Sequence, residues 1–503
     1  MKPVGFDNDT YIKEQTKSIL DRVNHFKNKL YLEFGGKLVF DYHASRVLPG
    51  FHPNVKMQLL QKLKENANII LCIYSGDIER KKVRADFGIT YDVDALRLID
   101  DLHDWGLSVA AVVITRFDNQ PAALVFKNKL ERRGVKVYTH RYTKGYPTDV
   151  DMVVSDEGYG ANEYIQTDKP LVIVTGPGPG SGKLATCLSQ MYRDYRKGLK
   201  SGYAKFETFP IWNIGLKHPV NVAYEAATAD LGDFNMIDPY HLEAYGETAI
   251  NYNRDVEIFP VLKRILEKIV GEALYKSPTD MGVNCAGLAI TDDAAVKESA
   301  KQEIIRRYFR YHCEYIMGFV NKDTVQRIEL LMDDMDLKPE DRTVVKPARK
   351  AAEEAKKKKK GSEGIFCGAA IELPDGVIVT GKNSVHMHAA SSLILNAVKR
   401  IADIPDKIHV LSESIIKAIR NLDKNILNKR SGSIDLEEAL IALSISATTN
   451  PTAQIALEHL ESMRNCEVHM THIPTPGDEE GLRKLGVNLT SDPNFSSNSL
   501  FVS

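Results

Sequence analysis

The chain has 503 residues, 66 Lys+Arg against 67 Asp+Glu, a formal net charge of −1 and 6 cysteines. That length allows about three domains at roughly 100–200 residues each, and 43% hydrophobic with 26% charged residues suits a globular protein. The even charge excludes a globally basic nucleic-acid binder and leaves room only for a local basic patch. The start, Met1-Lys2-Pro3-Val4-Gly5-Phe6-Asp7, turns polar at once, and no run approaches the roughly 18 apolar residues of a membrane span. A cytoplasmic protein with no membrane partner is expected. Cys72, Cys187, Cys285, Cys313, Cys367 and Cys466 are scattered without a Cys-x-x-Cys pair, which suits neither a disulfide framework nor a thiolate zinc site. They read as small apolar core residues, with Cys187 alone near a helix start that favours a thiolate.

In chain order, short apolar runs recur at 30–34, 69–73, 109–115, 135–139 and 171–175, with helical patterns between them at 55–63, 93–102 and 122–132. In the second of these, Val93, Leu96, Leu98, Ile99 and Leu102 form an apolar stripe at helical spacing. Strand–helix alternation predicts a mostly parallel sheet with a binding crevice at the carboxyl ends of its strands. The first run leads into Gly35-Gly36-Lys37, then Asp41, His43 and Arg46. Two glycines after a strand permit close backbone approach, and Lys37 supplies positive charge for phosphate or carboxylate. By analogy this turn resembles the opening of amino-acid kinases; the alternative is a plain turn with a surface cluster.

The sharpest motif is Gly176-Pro177-Gly178-Pro179-Gly180-Ser181-Gly182-Lys183, between an apolar run and a helix-forming stretch at 184–196. A strand, a glycine loop and a helix start let backbone N–H groups wrap a phosphate, and Lys183 can reach a terminal phosphate. The match to a P-loop is imperfect, because Pro177 stands where a glycine belongs and Leu184 where Ser or Thr would ligate magnesium. The bland alternative is a rigid Pro/Gly connector. Just before it, the run 152–154 ends in Ser155-Asp156-Glu157, and Asp156 is a candidate acid or base near the phosphate.

Residues 201–290 crowd polar and aromatic side chains with little apolar periodicity. Such a stretch is a surface loop system or a hydrogen-bonded ligand site. His218 and His241 are candidate general acids or bases, and Arg254, flanked by Asn253 and Asp255, is a candidate anion clamp. Amphipathic helices are expected at 295–317 and 322–335. Lys356 to Lys360, followed by Gly361-Ser362-Glu363-Gly364, read as a solvated helix end and linker rather than a nucleic-acid site.

The segments 30–37 with 41–50, 176–187, 201–212, 218–231, 251–262 and 277–284 together resemble an uncharacterised bacterial family known only as a domain of unknown function. The resemblance covers nearly the whole chain and implies a bacterial, cytoplasmic setting, with no activity attached. Beyond the lysines, 365–373 and 377–380 flank the turn Pro374-Asp375-Gly376, helices open near His388 and Asn450-Pro451, and a strand follows at 466–471. This order resembles the cytidine-deaminase fold. Ala390 stands at the position of its proton-shuttling Glu, and Thr452 and Ile455 at its two cysteine ligands, so neither zinc nor deamination is expected.

The reading is thus a multidomain α/β protein. A parallel-rich α/β sheet domain with the glycine-rich loop (1–215) precedes a mainly helical middle segment with the Lys-rich linker (216–361), and an α/β, deaminase-like domain (362–503) ends the chain. The expected ligand is a nucleotide or other phosphate-containing small molecule, with phosphotransfer or ATP-dependent ligation as the reaction class and a non-catalytic metabolite-binding or scaffold protein as the alternative. No cofactor is assigned, and a homo-oligomer is left open.

Overall fold

Seven runs of the first 283 residues pair as one sheet: β1 (Lys29–Phe34), β2 (Ala67–Tyr74), β3 (Val109–Thr115), β4 (Val137–His140), β5 (Leu171–Thr175), β6 (Ser201–Phe206) and β7 (Gly282–Val283). Their order is β7-β6-β1-β5-β2-β3-β4 and every pairing is parallel. The structure, a computed structural model, describes residues 3–84, 88–362, 364–429 and 432–497, so that Glu363 of the Gly-Ser-Glu-Gly stretch lies outside them.

Continuous apolar strands of this kind are buried on both faces, and the connecting helices do the burying. One face is covered by α1 (Asn8–Phe26), α2 (Val55–Leu63), α3 (Tyr91–Asp104) and α4 (Pro121–Glu131), through Ile19, Leu60, Ile99 and Phe126 among others. The opposite face is covered by α5 (Lys183–Arg196) and α6 (Asn253–Val270), through Leu188, Met191, Phe259 and Leu266. The direction in which strands are added to the sheet reverses about β1 and β5. From β1 the chain builds outward through β2, β3 and β4, and from β5 it returns past β1 to β6 and β7. Strand ends where the order reverses leave the crevice that binds ligands in open α/β sheets.

This compact unit spans 2–300 and so runs past residue 215. Two features take it there: β7 adds to the edge strand β6, and α6 supplies the apolar stripe for the second face. The crowded middle conceals both, since β7 has two residues and Pro260 interrupts the helical signal of α6.

The second unit spans 301–503. Its sheet is formed by β8 (Gly368–Glu372), β9 (Ile378–Lys382), β10 (Glu467–Met470) and β11 (Asn488–Ser491) in the order β9-β8-β10-β11. The β8–β9 hairpin turns at Gly376, whose φ of +81 needs a glycine. The Lys-rich stretch begins inside α7 (Val345–Lys357), whose buried Ala348, Ala351 and Ala355 lie toward β8 and whose last lysines are exposed. A Cβ on Gly368 would stand 2.3 Å from the Ala348 carbonyl oxygen, so helix and strand are in close approach. Then α8 (Ala389–Ile401), α9 (Leu436–Ala447) and α10 (Pro451–Glu458) close a separate core of Leu393, Leu443 and Val468. Among the described residues no helix is long and apolar enough to cross a membrane.

Candidate functional site

Parallel pairing places β1 between β5 and β6, with Glu33 opposite Val174 and Phe34 opposite Phe206. The turns that leave these three strands therefore emerge side by side, although they are separated by about 140 and 30 residues in sequence. Gly35 donates its N–H to the Phe206 carbonyl at 2.8 Å, and a Cβ there would meet Glu207 Cγ at 2.9 Å. Gly36 has φ +69, and its open side faces Lys56 Nζ, 3.0 Å from where a Cβ would stand. A cavity of about 20 Å³, room for roughly one water, is bordered by Gly36 and Lys37 on one side, Gly176 and Pro177 on another, and Asp94 and Arg97 of α3 beneath.

The loop between β5 and α5 is held at several points. Thr115 Oγ1 donates to the Ser181 carbonyl at 2.8 Å, and the Arg116 guanidinium donates to the Gly180 carbonyl. Gly178 lies against the Tyr91 ring so closely that a Cβ would fall 2.2 Å from Tyr91 Cε1. Gly182 is the N-cap of α5 with φ +89 and no side-chain cap. The first N–H groups of α5 thus keep the unsatisfied donors and partial positive charge of a bare helix start. Lys183 Nζ folds back to within 3.5 Å of the Gly178 carbonyl. Thr175 Oγ1 and Ser181 Oγ, both in buried residues, have no hydrogen-bond partner among the described residues.

At the end of β6, across β1 from this loop, lies a cluster that no local pattern assembles. Lys205 Nζ stands 2.7 and 2.6 Å from the two Asp255 carboxylate oxygens and 3.0 Å from Glu207 Oε1, and it also contacts the Tyr252 hydroxyl. Tyr252 donates its hydroxyl to Glu207 Oε1 at 3.0 Å. Asp255 is the first-turn acid of α6, where a carboxylate is favoured by the helix dipole. Burial opposes charge on Lys205, but Asp255, Glu207 and Glu33 outweigh it and hold the ammonium well above its ordinary value. Burial, with Asp255 close by, pushes Glu207 up to about 7 against the pull of Lys205. Glu33, at the end of β1, accepts from the Tyr203 hydroxyl at 2.9 Å. On the other face Lys56 Nζ pairs with Asp41 at 2.9 Å, and both are buried.

The remaining residues singled out in the sequence are distributed as follows. Lys37 borders the small cavity beside Gly176. Arg254 forms a fork on the buried Asp233 carboxylate, at 2.6 and 2.7 Å, with its guanidinium carbon 5.5 Å from the Tyr252 ring centroid. Both ring nitrogens of His218 are engaged, Nε2 with Asp293 at 2.8 Å and Nδ1 with the Val220 N–H as a helix cap. His241 Nδ1 meets Ser277 Oγ at 3.1 Å. Asp156 accepts from the Tyr192 hydroxyl at 2.8 Å and pairs with Arg196 at 3.4 Å. Tyr192 lies nine residues along α5 from Lys183, about 13 Å at 1.5 Å per residue, so Asp156 belongs to the far end of that helix. Cys187 is fully buried and burial holds its thiol well above its ordinary value, which removes the reactive reading.

A parallel α/β unit with its polar cluster at the strand ends, followed by a smaller mixed-sheet unit, is the class of protein these features define. The family model "Domain of unknown function DUF1846, N-terminal" matches residues 4–336, and its C-terminal companion matches 340–501. The chain belongs to this family. It is 58% identical over 500 residues to a "UPF0371 protein" of Clostridium botulinum (strain ATCC 19397 / Type A), covering 99% of each chain. A "UPF0371 protein" of Clostridium tetani (strain Massachusetts / E88) is 57% identical over 499 residues, again covering 99% of each. None of these matches supports the cytidine-deaminase resemblance expected for residues 362–503. Four α-helices stand between β9 and β10 among the described residues. His388, which caps α8, is bound through Nδ1 to Asp478 at 2.8 Å.

Proposed function

We propose that the carboxyl ends of β1, β5 and β6 bind a nucleotide or another phosphorylated small molecule. The 176–183 loop and the Gly36-Lys37 turn hold its phosphate, and the Lys205 cluster faces the remainder. One observation carries this reading: Gly36-Lys37 and Gly176-Pro177 border one cavity at the point where strand order reverses, and the loop leaving Gly176 runs on to the uncapped start of α5 beside Thr115 of β3. The buried hydroxyls of Thr175 and Ser181 are further donors at the loop. A loop pinned by Thr115, Arg116 and Tyr91 is preorganised, which lowers the cost of closing it around a ligand. Phosphotransfer or ATP-dependent ligation is the reaction class that fits an anion-holding loop beside titratable groups, and a metabolite-binding protein without turnover is the second reading.

Thermal-shift measurements with ATP, ADP, inorganic phosphate and sugar phosphates, with and without Mg²⁺, test the site. At least one phosphate ligand is expected to stabilise the wild-type protein and to lose most of that effect in Lys183→Ala. No stabilisation of wild type by any of them would end the reading, and equal stabilisation of the variant would remove Lys183 from the site.

A further inference from the structure

We infer that Glu207 is the group that exchanges a proton with the ligand of the strand-end site, and that the ligand presents an O–H or N–H to the Glu207 carboxylate beside Gly35. The inference rests on the phosphate reading for the ligand's other end and adds what lies opposite the phosphate. Glu207 directly follows β6, and its side chain packs over Gly35, where a Cβ would stand 2.9 Å from Cγ and 3.1 Å from Oε1. Any larger residue at 35 would take the space that this carboxylate occupies at the strand end. Its side chain is 22% exposed, against 15% for Asp255. The two carboxylates are also bound differently. Asp255 places both oxygens on Lys205, whereas Glu207 takes Lys205 and Tyr252 together on Oε1. One carboxylate is therefore fully committed to the ammonium, and the other is oriented by it.

The charged and titratable groups around Glu207 are Lys205 of β6, Tyr252 and Asp255 at the start of α6, and Tyr224 of the helix Pro219–Ala227. Glu33 of β1 acts on the cluster through Lys205. Two carboxylates share one ammonium in this buried setting, so the second is the one that readily takes a proton. In the forward step the proton passes from the ligand heteroatom to a Glu207 oxygen and leaves its electron pair on that heteroatom; the reverse returns it. Lys205 keeps its proton throughout and holds the carboxylate in place. A carboxyl that changes state near neutral pH is suited to this exchange.

Isothermal titration of AMP, ATP and inorganic phosphate at pH 7, in buffers of different ionisation enthalpy, counts the protons taken up or released on binding. Comparing wild type with Glu207→Gln cancels the protons that belong to the phosphate itself. AMP or ATP is expected to bind both proteins with different proton counts; equal counts overturn the role of Glu207. If no probe binds wild type, the phosphate reading falls on its own, and the ¹³C carboxyl titration of labelled glutamate, assigned by loss of the signal in Glu207→Gln, decides the rest. A midpoint near neutrality supports the inference, and a midpoint in the ordinary glutamate range overturns it.

Discussion

Lys205 is held by two carboxylates and a tyrosine hydroxyl in a pocket that leaves it 13% exposed. Its charge is more than compensated by the two carboxylates, and neither side tolerates loss of the other. Replacing one partner of a buried ion pair strands the remaining charge and costs about 3–5 kcal/mol, whereas replacing the whole set with apolar groups can be neutral. Lys205→Met is therefore expected to lower stability by about 3–5 kcal/mol in urea unfolding. The triple variant Lys205→Met, Glu207→Met, Asp255→Leu should recover most of that loss, and a single variant as stable as wild type would show that the cluster is not coupled. The members of this cluster are visible in the sequence one at a time. Asp255 stands next to Arg254, and Lys205 and Glu207 lie two apart in an aromatic stretch. Nothing in their spacing brings 205 to 255; the parallel β6 and the entry of α6 do.

At the scale of elements, the alternation of apolar runs with helical stripes is legible because parallel strands buried on both faces leave a simple composition. The runs near 30, 70, 110 and 171 are strands β1, β2, β3 and β5, and the stretch after Lys183 is a helix. The glycine loop is legible as a loop, but its reasons are not. Gly178 is required by the Tyr91 ring, and Gly182 by a positive φ against Thr115. Both partners come from other elements, which no local pattern reveals. Gly182→Ala forces a left-handed conformation on a residue with a Cβ and drives that atom to 2.7 Å from Thr115 Cγ2. A loss of about 1–3 kcal/mol is expected, with phosphate-ligand stabilisation reduced in parallel. Gly180→Ala is the control, since φ is +69 there but nothing lies within 4 Å. It should cost only the backbone strain, about 1 kcal/mol, measurable in the same unfolding series. If the two variants were equally destabilised, contact with Thr115 would play no part.

At the scale of the whole molecule, each unit has its own core and its own acid-sensitive pair, and these make stability pH-dependent in a definite direction. In the 2–300 unit, burial works against the charge of Asp41, but Lys56, with His43 and Lys37, outweighs it and holds the carboxyl below its usual value of 3.8. In the 301–503 unit, burial likewise opposes Asp492, but hydrogen bonds and charge from His469 and Arg349 pull it down to about 2. Arg349 reaches Asp492 through two bonds, at 2.7 and 3.1 Å. Both carboxyls bind fewer protons folded than unfolded once the pH falls below about 4–5, so stability drops with falling pH there. The Asp492 contribution is present above its usual value of 3.8 and disappears as pH descends toward about 2, and that of Asp41 is lost in the same direction. At roughly 1.4 kcal/mol per unit, the Asp492 share is about 2 kcal/mol. Urea midpoints measured between pH 2 and 6 are expected to fall below pH 4. Asp492→Asn should start lower at pH 6 and lose less on acidification, because it has no proton left to take up. A variant whose acid limb parallels that of wild type would show that Asp492 titrates alike in both states and that its two bonds to Arg349 add nothing to folding.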